Sequence, residues 1–294
     1  MTFWRFMVAL VKETLADDVP AIAAELTYKI LLSFFPFMIF LMSVIGYMHL
    51  DENFFIYQLF ALFPSEIADM LNNFISEVVV GGSASVLSIS LLVSIWSASS
   101  GFRGAMKGIR KSFGHTENAG FVKTHVISVL FVFLFAVTLV AMLVLMIFSS
   151  AILRFLSSRS LLSPEAASLY GVLGTVVSMA IMLFCVMLIY KFSIPGKTAL
   201  RQVMPGALFS VASWLIISKL FNIYVDHFAG YSRLYGSIAG IFILIIWLNI
   251  ISLTLLIGSE INSVLIKGDA QRAAESGGKA GETADTAERT KQKA

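Results

Sequence analysis

Long runs of Leu, Ile, Val, Phe and Met alternate along the chain with short polar segments that hold nearly all of its charge. A helix rises about 1.5 Å per residue, so roughly 20 predominantly apolar residues cross about 30 Å of hydrocarbon. Six stretches meet this length, at about Ile30–Met48, Val86–Phe102, Val126–Leu153, Leu169–Tyr190, Gln202–Val225 and Ser237–Ile266. The second is short if read from Val86, but its uncharged stretch begins at Val78 and includes Gly81 and Gly82. All are continuous in apolar character, whereas barrel strands alternate over about ten residues. The pattern predicts an all-α integral membrane protein, with a six-transmembrane-helix bundle over residues 30–266.

The flanking segments have patterns of their own. Phe3, Trp4, Met7, Leu10, Val11 and Leu15 recur at helical spacing with charges opposite, which predicts a helix lying in the membrane interface and a lead-in over residues 1–29. Arg5 interrupts this stretch and Lys12, Asp17 and Asp18 follow it, so it does not read as a cleaved signal sequence. Between the first two spans, Asp51–Glu77 contains Phe54, Phe55, Tyr57, Leu59, Phe60, Leu62 and Phe63. That amphipathic segment is too apolar for a free loop and predicts helices resting on the outer bilayer surface. Residues 267–294 have no large apolar side chain beyond Gly268, which predicts a disordered tail.

Composition narrows the function classes. Hydrophobic residues make up 58% of the 294 and charged residues 13%, against about 45–50% and 25% in soluble domains. A soluble enzyme, a disordered chain and a nucleic-acid binder with a basic face are all excluded on this ground. A single cysteine, Cys185, sits in an apolar run and leaves no disulfide framework or thiolate metal cluster. Lys and Arg number 17 in the segments on the side of the N-terminus and 3 in the segments opposite. The bias predicts that both termini are cytoplasmic.

Polar residues at depth are functional candidates by default. Lys219, Asn222 and Asp226 share one face of the fifth span, with Lys219 in its outer third, where it could line a polar pathway or snorkel and pair with Asp226. In the sixth span Asn249 lies near the middle, while Glu260 and Asn262 lie near the cytoplasmic end. Glu260 is expected to meet Lys29, Arg103 or Lys107, and Glu25 with Lys29 forms an i, i+4 pair; these four are candidate inner-mouth ion pairs. Ser90, Ser94, Ser97 and Gly101, followed by Gly104 and Gly108, give the second span a small-residue face for close packing or for lining a cavity. Pro36, Pro205 and Gly206 are candidate kinks. Trp96, Trp214, Trp247 and Tyr190 read as packing or belt residues. His49, His115, His125 and His227 are scattered, and there is no phosphate loop, dinucleotide fingerprint or nucleophile elbow. No cofactor, metal site, catalytic residue or enzymatic activity is expected.

Four runs carry a resemblance: Glu25–Gly46 with Tyr28 and Ser33 to Pro36, Ser94–Gly114 with Trp96 to Ser99 and Arg103, Val203–Val225 opening on Pro205 and Gly206, and Tyr235–Asn262 ending in Gly258, Glu260 and Asn262. In this order they resemble the YihY/BrkB family of bacterial inner-membrane proteins, over roughly residues 5–266. The resemblance gives weight to Glu260 and Asn262. It implies a multi-pass inner-membrane protein of envelope maintenance, with export or flipping of lipids or other amphipathic molecules as the expected role. Members have carried the label ribonuclease BN; here the cytoplasmic segments are short and offer no evident His or carboxylate constellation near an RNA surface. The expected partners are membrane lipids, not nucleic acid. The alternative is a non-transporting scaffold that docks an envelope protein through Phe54 to Phe63.

Overall fold

The chain begins with two helices that meet at a sharp turn. In the computed structural model, which describes residues 3–47, 67–68, 70–72, 84–115, 120, 122–138, 164–194, 196, 198–227 and 237–291, α1 (Phe3–Ala16) ends at Asp17 and Asp18, and α2 starts at Val19 and runs to Tyr47. Asp18 takes φ 53°, a left-handed conformation that Asp tolerates better than most residues with a Cβ. The turn folds α1 back against the chain's last helix near Glu260 and Lys267. Leu10 of α1 is buried there, while Trp4, Val8, Val11 and Leu15 form an exposed apolar stripe at helical spacing. An exposed apolar stripe of this kind is available to a lipid surface.

The remaining described helices are α3 (Ala84–Ser112), α4 (Val122–Thr138), α5 (Pro164–Ser193), α6 (Leu200–His227) and α7 (Ser237–Lys291). Among the described residues four segments are long and apolar enough to cross a membrane: Val19–Phe40, Val176–Ser193, Leu200–Phe221 and Gly240–Asp269. The described part of α4 is apolar but shorter. The expected second span lies on α3, whose last turns carry Arg103, Lys107, Arg110 and Lys111. Its Ile89, Leu92, Val93 and Trp96 are nonetheless exposed on one stripe, as on a face turned to lipid.

Two apolar clusters hold the bundle. At the end that carries α1, Val19, Ala23, Ile109, Tyr190, Ile194, Val203, Ala207 and Leu256 bring together α2, α3, α5, α6 and α7. Toward the opposite end, Met38, Phe221, Leu244, Trp247 and Leu248 close around Ile67 and Leu71. Residues 67–72 belong to the segment expected to rest on the outer bilayer surface, yet Ile67 and Leu71 are fully buried. They are inserted into the mouth between α2, α6 and α7, because burial among apolar side chains there removes them from the interface altogether. The small-residue face of α3 serves packing: Gly104 faces Leu26 and Lys29 of α2, and Gly108 lies against Ile22 and Leu256.

Two further expectations need correction. Residues 19–29 are not a separate lead-in but the first turns of α2 itself. Nor is the tail without structure, since α7 continues as helix to Lys291. Ala, Glu, Lys, Arg and Gln dominate this stretch and are good helix formers, so an established helix can extend through them without an apolar face to bury.

α6 and α7 cross with almost no space between their backbones. A Cβ on Gly206 would overlap the Gly258 carbonyl oxygen, and a Cβ on Gly258 would overlap Ser210 Oγ and Tyr190 Oη. Gly206→Ala is therefore expected to separate the helices and cost about 1–3 kcal/mol or more. Thermal denaturation in detergent measures this as a lowered midpoint. Gly120→Ala, whose Cβ would meet nothing within 4 Å, should leave the midpoint unchanged.

Candidate functional site

The crossing of α6 and α7 is built from a proline, two glycines and an asparagine. Pro205 has no N–H and its ring crowds the carbonyl four residues back. The N–H of the next residue, Gly206, donates to Asn262 Oδ1 at 2.8 Å, and Asn262 Nδ2 donates to the Val203 carbonyl at 3.1 Å. Asn262 is fully buried, so its amide ties the first turns of α6 to α7 as an interhelical cap. One turn away, Tyr190 Oη donates to the Leu255 carbonyl at 2.6 Å and shares a hydrogen bond with Ser210 Oγ at 2.7 Å. Ser210 Oγ also reaches the Gly206 and Thr254 carbonyls. Tyr190 is thus the hydroxyl center of a three-helix polar knot, where the sequence indicated only packing or a belt.

Of the proposed polar pathway, Asn249 is half-buried and donates to Thr27 Oγ1 at 3.3 Å. Lys219 is exposed on α6. The side chains of Asn222 and Asp226 lie outside the described residues, as does the segment Phe54 to Phe63. Asn262 is committed to two backbone groups. Pro36 and Pro205 both sit inside helices that continue through them.

Glu260 does not meet Lys29, Arg103 or Lys107 as expected. Lys29 and Lys107 both pair with Glu25, at 2.7 and 3.0 Å, and Arg103 donates to Ser99 one turn back on α3. The reason is geometric: Glu25 lies on the face of α2 that packs on α3, closer to both ammonium groups than α7 can come. Glu260 instead faces α1 and the turn after it. There Glu13, Asp17 and Glu260 each present an oxygen within 4.8 Å of the others. The expectation that no carboxylates converge is corrected by this cluster, which joins residues almost the full bundle apart in sequence. Burial pushes the Asp17 carboxyl above the usual carboxylate range, opposed first by the hydrogen-bonding approach of Glu260 and then by Lys111 and Lys267, with Glu13 adding to the shift.

A second feature at the same end is a cavity of about 630 Å³ lined by Arg110, Lys123, Ile127, Lys191, Phe192, Ser193, Ile194, Gly196, Thr198 and Ala199. It lies where α3 and α5 end and where α4 and α6 begin. Among the described residues three cations line it and no acidic residue does. Arg110 is buried, donating from Nε to the Ser193 carbonyl at 3.1 Å and from a terminal nitrogen to Thr124 Oγ1 at 3.3 Å. It thereby satisfies the C-terminus of α5 with a charge of favourable sign. Desolvation lowers the Arg110 pKa from its ordinary value. Sequence reading counted Arg110, Lys123 and Lys191 only as topology signals; their loops being short was the available hint that they converge.

Residues 10–282 match the family described as Virulence factor BrkB. The chain belongs to the BrkB family. It is 30% identical over 245 residues to a Bacillus subtilis protein named ribonuclease-like YfkH, covering 83% of this chain and 89% of that one. A UPF0761 membrane protein of Xanthomonas oryzae pv. oryzae is 32% identical over 85 residues, 29% of this chain and 20% of the relative. A UPF0761 membrane protein of Xanthomonas axonopodis pv. citri matches to the same extent. No solved structure matches. With its apolar helices, this BrkB-family chain is a multi-pass membrane protein.

In this BrkB-family chain the neighbouring Glu260 and Asn262 have different tasks, and mutation separates them. Asn262→Ala leaves the Gly206 N–H buried without an acceptor and is expected to cost about 1–3 kcal/mol. Asn249→Ala should cost little, because Thr27 Oγ1 keeps its 2.7 Å bond to the Ala23 carbonyl. Unfolding in a graded detergent and denaturant series compares the two.

Proposed function

We propose that this chain is a transporter or flippase-like exporter of lipids or other amphipathic molecules, working as a six-span bundle in the bacterial inner membrane with both termini cytoplasmic. The observation that carries the reading is the basic cavity. Its three cations stand at the end of the bundle where Lys and Arg are concentrated, and two apolar side chains, Ile127 and Phe192, share its wall. Such a lining suits a molecule with an anionic head and an apolar body.

The chemistry of the lining fits a phosphate or carboxylate head. A guanidinium has five N–H donors, and Arg110 spends two of them on Ser193 and Thr124. The others, with the ammonium groups of Lys123 and Lys191 and the N-terminal end of α6, favour an anion. Exposed apolar residues of α4, among them Val126 and Leu130, continue from the cavity along a helix face where acyl chains could lie.

Leaflet exchange of a fluorescent anionic phospholipid in proteoliposomes, read by dithionite quenching, tests the proposal. Native protein should take quenching well beyond the outer leaflet. The Lys123→Ala, Lys191→Ala double variant, which keeps Arg110 and its helix cap, should return quenching to about half. Quenching near half with the native protein would sink the reading.

A further inference from the structure

α1, the turn that follows it and α7 bring three carboxylates together at the end of the bundle that carries α1. Glu13 and Asp17 are half-buried, whereas Glu260 is fully buried; the side chains of Ser112 and Asp17 approach it, but neither of its carboxylate oxygens has a well-formed hydrogen bond or an ion pair among the described residues. The cations around them are few. Lys267 lies 3.3 Å from Glu13 Oε2 and also donates to the Ser112 carbonyl, and Lys111 is drawn to Asp18 at 3.2 Å. Ser263, one turn on from Glu260, donates to the Ser112 carbonyl and so is committed elsewhere.

We propose that Glu13, Asp17 and Glu260 bind a hard divalent cation of the magnesium or manganese class, which fastens the interfacial helix α1 to α7. The donor set is all oxygen and all carboxylate, which suits such ions and not zinc or copper. Ligands on bonds of about 2.1–2.4 Å stand on the order of 3 to 5 Å apart across a coordination shell, and these three oxygens lie within 4.8 Å of one another. A shared proton joins only two oxygens, at about 2.5–2.7 Å, whereas three converge here. One oxygen of Glu13 is occupied by Lys267, and the carboxylate has a second. Because Glu13 and Asp17 are only half-buried, the ion can enter from solvent and keep water on its open side. Glu260, buried and in no ion pair among the described residues, gains the counter-charge that its surroundings do not supply.

The test is Mn²⁺ binding to the purified full-length protein in detergent, followed by electron paramagnetic resonance and competed with Mg²⁺. Native protein should bind one Mn²⁺ per chain, with Mg²⁺ displacing it. Glu260→Gln and Glu13→Gln should each weaken binding by about tenfold or more through loss of a ligand, while Glu25→Gln, whose carboxylate serves Lys29 and Lys107, should bind as the native protein does. If Glu260→Gln fails to fold, Glu13→Gln, on the solvent side of the cluster, decides alone. No saturable Mn²⁺ binding by the native protein, or equal binding by a folded Glu13→Gln or Glu260→Gln variant, would overturn the proposal.

Discussion

The backbone contact between Gly206 and Gly258 sets the geometry on which the rest of the bundle depends. Helices within a bilayer gain little from burying apolar side chains against each other, since lipid is equally apolar. What draws them together is close approach and hydrogen bonding. α6 and α7 have both: neither glycine has a Cβ to hold the chains apart, and the amide of Asn262 bonds the Gly206 N–H and the Val203 carbonyl across the crossing. With the crossing fixed, Tyr190 can reach across from α5 to the Leu255 carbonyl, so a third helix is registered by the same contact.

That registration also decides what meets at the end carrying α1. Asn262 and Glu260 are two residues apart on α7 and so project to different sides of the helix. With Asn262 turned to α6, Glu260 is turned away from it, toward α1 and the Asp17–Asp18 turn. The same crossing sets the end of α5 beside the start of α6, where Arg110 of α3 caps Ser193 and the basic cavity opens. One backbone contact thus orients both the acidic cluster and the basic cavity, although neither includes a glycine of the crossing.

Much of the fold was legible in the sequence because apolar run length and charge placement are one-dimensional properties. The amphipathic N-terminal helix, the long apolar helices of α2, α5, α6 and α7, and the packing role of Gly104 and Gly108 all follow from periodicity and residue size. Partner choice is three-dimensional and was not legible. Glu25, Lys29 and Lys107 were identified as a charged group, but which cation Glu260 would meet depended on the rotation of α7 about its axis, which Asn262 sets through a contact with residues nearly sixty positions earlier. The insertion of Ile67 and Leu71 was hidden for a related reason: an amphipathic segment looks the same whether its apolar face meets lipid or a gap between helices.

Charge at the α1 end is sorted, and this bears on how the two sites can coexist. Arg110, Lys123 and Lys191 line a cavity that has no acid among the described residues; Glu25 is enclosed by Lys29 and Lys107; Glu13, Asp17 and Glu260 converge with Lys267 at one edge. Were these groups free to find one another, cations and carboxylates so near in sequence would neutralise in pairs. Some do, Glu25 with Lys29 and Lys107, Glu13 with Lys267 and Asp18 with Lys111; others are fixed elsewhere, Arg110 being held to the end of α5. In the low dielectric near a bilayer, charge left unpaired by rigid helices keeps its attraction for an external counter-ion. The basic cavity and the acidic cluster are thus built from separate sets of residues, Arg110, Lys123 and Lys191 in one and Glu13, Asp17 and Glu260 in the other, and the packing that holds the helices in register keeps the two sets apart.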